Sequence, residues 1–280
     1  MNLSPKVNRL QRTIASLCLL TLPITAFAAR KQDAAAPTGD GQTTAFVHAS
    51  VVPMNTNNLL VDQTVVVRGD RIVSVGPASK VKVPADARVI DATGQFLLPG
   101  LVDPHAHPAS QSDLSNYIAS GITTVVDADN SAEEVQRIGK ITAGTSLRPT
   151  IHVSGDAKFA SAGGSTATLQ QQLEQQVHSG RTPFQALQSV TVSPARNLSG
   201  SREFGTVTTG SRADLVLLSG NPLQDITNTQ RIAGVMVRGH WLAQADLQLI
   251  HVGEITRPSH ARQVTYVNGD GSMKYVVSTI

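Results

Sequence analysis

The sequence predicts an α/β protein in which a parallel strand and helix unit sits between two stretches of short strands. Three observations predict it. Short β-branched runs separated by turn residues occupy 44–95 and return after Ser211. Between them, the apolar run 96–102 is followed by helix-like and strand-like segments in alternation, the pattern of a parallel sheet with crossover helices. Finally, 40% of the 280 residues are hydrophobic, enough to bury a substantial core.

Residues 1–28 read as a signal peptide. Lys6, Arg9 and Arg12 form a positive start, 14–26 an apolar stretch, and Ala26-Phe27-Ala28 a cleavage site. The stretch is shorter than the ~20 residues that span a bilayer, and Pro23 interrupts it. Export to the periplasm or medium is therefore expected, with no membrane association after cleavage. The signal carries three of the 23 Lys and Arg and none of the 20 acids, which leaves 20 charges of each sign. A chain without net charge has no electrostatic case for nucleic acid as a partner. The single cysteine, Cys18, also lies in the signal. Disulfides and thiol catalysis are thus excluded from the remainder, and His, Asp, Glu and Lys are left as metal ligands.

Residues 29–43 are small and polar and read as a flexible spacer. Strands follow over 45–48, 64–67, 71–75 and 88–90, with a hairpin turn at Gly69-Asp70, as a small antiparallel sheet. In this setting Arg68-Gly69-Asp70 reads as a tight turn, not an adhesion motif. The run 96–102 reads as one continuous strand buried on both faces. Next come a helix over 114–120, a strand over 122–126, a helix over 132–141 and a strand over 150–153. Helices over 169–179 and 183–190 follow, the second opened by Thr182 as cap and Pro183 in its first turn. Strands return at 214–218 and 234–238, with a third expected at 247–252. In the tail, 253–280, strands over 263–268 and 273–278 suggest a hairpin.

The chemistry concentrates at Asp103-Pro104-His105-Ala106-His107, directly after the apolar strand. Side chains two apart on a strand point the same way, so His105 and His107 can serve one metal ion. Neutral imidazole is the commonest metal ligand, and a metal in an open site lowers the pKa of bound water enough to make it a nucleophile.

Two longer motifs extend this. Val89-Ile90-Asp91-Ala92-Thr93-Gly94 leads through Leu98-Pro99-Gly100-Leu101-Val102-Asp103 to the histidines. Downstream stand Thr182-Pro183, Ala186-Leu187, Pro194-Ala195-Arg196, Gly210-Ser211-Arg212-Ala213-Asp214 and Gly220-Asn221-Pro222. Together they resemble the metal-dependent amidohydrolase superfamily, especially its imidazolonepropionase-like and dihydroorotase-like branches, over roughly 44–242. The resemblance implies a TIM-type (β/α) barrel with one or two divalent metals, zinc above all, at its strand ends. It also implies a small β-sandwich built from both chain ends, here 44–95 with 205–252. The implied reaction is hydrolysis of C–N bonds in small amides by metal-bound hydroxide with an aspartate as proton shuttle. His105 and His107 occupy the place of the first-strand ligands.

The barrel segment, 96–204, is too short for the family pattern. A complete barrel takes about 250 residues, whereas 95 residues run from Phe96 to Val190, enough for about three units. The strands that should bring a lysine and two further histidines are missing. The expected fold is therefore a partial barrel lacking several strands, whose open edges invite oligomer formation. Asp156 is the candidate catalytic aspartate. It admits two alignments, at the family's final strand or in the third-strand loop. The third-strand place is preferred because the preceding helix runs on from strand two without a break. His152 reads as a structural histidine and His178 as a partner of its helix C-terminus. Two functional readings follow: an exported metal-dependent amidohydrolase acting on a small-molecule amide, or a catalytically inactive remnant acting as an accessory or binding protein.

Overall fold

The chain folds, in the computed structural model, into the elements given below, and the structure describes residues 41–127, 131–143, 148–153, 168–199, 203–251, 262–267 and 273–278. The largest sheet has eight strands. They are β1 (Thr43–Val51), β2 (Leu60–Arg68), β3 (Arg71–Pro77), β4 (Arg88–Asp91), β5 (Phe96–Pro99), β9 (Leu215–Leu218), β10 (Ile232–Val237) and β11 (His240–Ala243). Their order is β11-β10-β9-β5-β1-β2-β3, with β4 also beside β1. The strands from the two ends of the chain meet at the antiparallel pair β5 and β9, Phe96 opposite Leu218 through Pro99 opposite Leu215.

The sheet is mixed, not purely antiparallel as expected. Hairpins force β2 and β3 to run antiparallel. The longer connection before β4 imposes no such reversal, and both β4 and β5 lie parallel to β1 on its other edge. The expected sandwich of two stacked sheets is replaced by one continuous hydrogen-bonded sheet that curls over its own core. β1 and β11 are four positions apart in the order, ~19 Å in a flat sheet at about 4.7 Å per step. Yet the rings of Phe46 and Trp241 meet edge to face at 5.0 Å. The enclosed core includes Phe46, Val65, Ile72, Leu97, Leu215 and Met236. Asp70 of the Arg-Gly-Asp turn is buried, which removes the adhesion reading.

The run 96–102 is two strands in two sheets, which corrects the expectation of one. Gly100 separates β5 from β6 (Leu101–Asp103). Its N–H goes to the Asp214 carbonyl at 2.8 Å, while that of Leu101 goes to Gly121 at 3.0 Å, so the chain changes partners at this residue. A Cβ at position 100 would lie 2.1 Å from Thr123 Oγ1; only glycine lets the two sheets approach this closely.

β6, β7 (Ile122–Asp127) and β8 (Thr150–Val153) form a three-stranded parallel sheet. Around it stand α1 (Gln111–Ala119), α2 (Ala132–Thr142), α3 (Leu169–His178), α4 (Pro183–Ser189) and α5 (Val192–Ser199). Capping explains the starts of three of them: Ser110, Thr168 and Thr182 each form a capping box with the residue three on. One face of the sheet joins Leu101, Val125 and Ala106 to Leu169, Leu173 and Leu187. The other packs Val102 and Val126 on Ala195 and Phe204. β8 takes the third-strand place, beside β7 and away from β6.

A second correction concerns 247–252. The strand in that region is β11, and Gln244–His251 is a helix, α6. The Asp246 carboxylate accepts the Ala243 N–H at 2.9 Å and starts the helix, and Leu247 packs with Ile118, Val235 and Leu242. The local alternation of Leu and polar residues suits a strand, but the buried neighbours reward a helix. In the tail, β12 (Arg262–Val267) and β13 (Met273–Ser278) pair antiparallel.

Candidate functional site

Asp103 ends β6 and Asp127 ends β7, so two carboxylates stand at the C-terminal edge of the parallel sheet. His105 and His107 lie just beyond the strand, in a loop that stays beside β7 through the Ala106 N–H to Val126 carbonyl bond, 2.9 Å. Strand alternation therefore does not orient them. What does is a turn: Asp103 Oδ1 accepts the His105 N–H at 3.0 Å. The two rings meet nearly perpendicular, 5.0 Å between centroids. His105 is half-buried, and its Nδ1 has no hydrogen-bond partner among the described residues. The His107 side chain is 56% exposed, and its Nδ1 stands 3.3 Å from Oδ1 of Asp127, which is completely buried.

α2 holds this loop from the far side. Its N-cap is Ser131. Arg137 donates to the Pro108 carbonyl and pairs with Glu134, Nε to Oε2 at 2.8 Å, and its guanidinium is 3.7 Å from Asp127 Oδ2. Hydrogen bonds from Arg137 and with Asp127 hold the Glu134 carboxyl down to about 2. Burial pushes the Asp103 carboxyl above the ordinary range. Tyr117 on α1 is pushed up to about 12, by burial first and then by Asp103, Asp113 and Asp127. Such a phenol stays protonated and can donate a hydrogen bond at any physiological pH.

Beside the histidine loop lies a cleft of about 1120 Å³. Asp103, His105, His107 and Tyr117 line one side, and α3 lines another with Gln172 and Glu174. Two imidazoles and an adjoining carboxylate are the donor chemistry a zinc-type ion takes, and the unpartnered Nδ1 of His105 suits that use. Among the described residues, however, no three of His, Cys, Asp and Glu are grouped so as to hold a metal ion. The residues present fit part of a site and do not complete it.

Asp156 lies outside the described residues. His152 is half-buried on β8, stacked 6.2 Å from the Phe204 ring, and burial holds its imidazole below the usual range. Its Nε2 is buried and has no hydrogen-bond partner among the described residues. His178 Nδ1 donates to the Glu174 carbonyl at 2.8 Å, inside its own helix. Asp127, Tyr117 and Arg137 were not among the sequence candidates. Asp127 had a signal: it directly follows a five-residue β run, and the C-terminal ends of parallel strands are where such folds place chemistry. Arg137 had none, because its partners are 29 residues back at Pro108 and across the strand at Asp127.

The amidohydrolase family profile matches residues 150–242. An imidazolonepropionase of Streptomyces griseus subsp. griseus is 34% identical over 110 residues, 33% of this chain and 28% of that protein. An adenine deaminase of Rubrobacter xylanophilus is 36% identical over 75 residues, 26% and 12% of the two chains. The chain thus spans less than a third of the length of these curated relatives. Among solved structures, molinate hydrolase superposes with a TM-score of 0.63 at 13% identity, covering 81% of this chain and 99% of that one. A prolidase-like protein from Bifidobacterium longum gives 0.56 at 17%, covering 76% and 99%. At these identities the likeness concerns the fold alone.

Proposed function

We propose, from the chain's similarity to the amidohydrolase family and to imidazolonepropionases over part of its length, that it hydrolyses a carbon–nitrogen bond in a small amide or lactam. The observation that carries this reading is the imidazole pair His105 and His107, 5.0 Å apart at the end of a parallel strand and facing an open cleft. A divalent ion, zinc by analogy with the family, would be held by these two residues and would supply an activated water. The chain's own groups do the rest. Asp127 and Arg137 hold the histidine loop, the Tyr117 hydroxyl offers a proton to a substrate carbonyl, and Asp156 is the candidate base. Residues 1–28 serve export, so the reaction takes place in the periplasm or outside the cell.

A second reading is favoured by two observations: among the described residues three parallel strands stand where a full barrel has eight, and no third ligand joins the histidines. Under it the chain is an inactive remnant that acts as an accessory or binding protein and self-associates through open sheet edges. Metal analysis of the purified protein, with hydrolysis assays on dipeptides and cyclic amides, separates the two. About one equivalent of metal and measurable turnover are expected from the first reading. Less than about a tenth of an equivalent without turnover overturns it, since an incomplete ligand set binds weakly.

A further inference from the structure

We infer that Asp127 is the positioning residue of His107: it holds the proton on Nδ1 and thereby leaves Nε2 as the lone-pair nitrogen available to the cleft. This deepens the reading above, which needs His107 as a donor but does not say through which atom. A neutral imidazole carries one proton, and the tautomer is set by the hydrogen bond that one ring nitrogen makes. Here Nδ1 is 3.3 Å from Asp127 Oδ1, an ion-pair contact that a small turn of the ring would make a hydrogen bond, and the His107 side chain is 56% exposed and so free to make that turn. The carboxylate has no freedom to leave. It ends β7, is completely buried, and its second oxygen is 3.7 Å from the guanidinium of Arg137.

The same arginine fixes the backbone of the loop. Its guanidinium donates to the Pro108 carbonyl, one residue past His107, and Glu134 holds it in that pose through two further bonds. Asp127 thus aims the ring while Arg137 anchors the chain beside it. The two act from β7 and α2. Carboxylates placed behind a histidine in this way change its affinity for a metal by about 10- to 100-fold.

The test uses the full chain labelled with ¹⁵N at histidine, free of metal and well above the ordinary imidazole pKa of about 6.5. Long-range ¹H–¹⁵N spectra, assigned by loss of a signal in His107→Ala, read the tautomer directly. The expected result is Nδ1–H for His107 in the wild type, retained in Asp127→Asn, which keeps an acceptor oxygen, and converted to Nε2–H in Asp127→Leu. Should Asp127→Leu fail to fold, the wild-type spectrum still decides, because Nε2–H on His107 there overturns the assignment. Retention of Nδ1–H in a folded Asp127→Leu also overturns it. Zinc titration gives the second readout, with binding weakened about 10- to 100-fold in Asp127→Asn. Failure of the wild type to bind zinc would count against the hydrolase reading and leave the tautomer result standing.

Discussion

Arg212 donates to the hydroxyl of Thr124 at 3.0 Å, a hydrogen bond that ties the segment entering β9 to the middle strand of the parallel sheet. The same guanidinium is bonded to Asp214 and lies 4.6 Å from the centre of the Phe204 ring. Asp214 in turn accepts the Arg238 N–H at 2.8 Å. One buried cation therefore joins the curled sheet to the parallel sheet.

Arg212→Met should destabilise the protein by about 3–5 kcal/mol, because Asp214, only 4% exposed, would keep its charge without its cation. Urea unfolding measures this. A loss under about 1 kcal/mol would show that the pair is dispensable.

Gly100→Ala should cost at least the 1–3 kcal/mol typical of overpacking, roughly, since the new methyl would sit 2.1 Å from Thr123 Oγ1. All three contacting atoms belong to the Thr123 side chain. Thr123→Gly in the same chain should then recover part of the loss, and a thermal melt of the double variant that is no better than the single one would refute the clash.

The phenol of Tyr117 should ionise late. The chain has three tyrosines, and a spectrophotometric titration should show one component near pH 12 that disappears in Tyr117→Phe. The raised value means that the folded state favours the neutral phenol. The stabilisation is complete below the unfolded value of about 10 and is lost as pH rises through about 12. A single transition near 10 for all three residues would contradict the buried site.

Glu134 gives the acid counterpart. Its carboxyl is held at about 2 against an ordinary 4.5, so its pairing with Arg137 stabilises fully above about 4.5 and is lost as pH falls through about 2. The difference in melting temperature between wild type and Arg137→Met should be constant above that window and shrink within it. A difference that stays the same at pH 2 would mean that the carboxylate plays no part.

Much of the fold was legible because its signals are local. The cap at Thr182, the Gly69-Asp70 hairpin and the strand at 122–126 depend on near neighbours in the sequence. The strand expected at 247–252 failed for the opposite reason: the choice between strand and helix was made by Ile118 and Val235, far away in the chain. The site divides the same way. His105 and His107 stand out by spacing and by the motif around them, whereas Arg137 matters only because the fold returns it to Pro108.

The sequence by itself determined the resemblance to the amidohydrolase family and the strand and helix alternation, since motifs and periodicity need no tertiary information. Tertiary structure alone decided that the apolar run breaks at Gly100, that the two chain ends form one curled sheet, and that Asp127 stands against His107. Each of these is a contact between segments distant in the sequence, settled by burial and close approach, which no local pattern encodes.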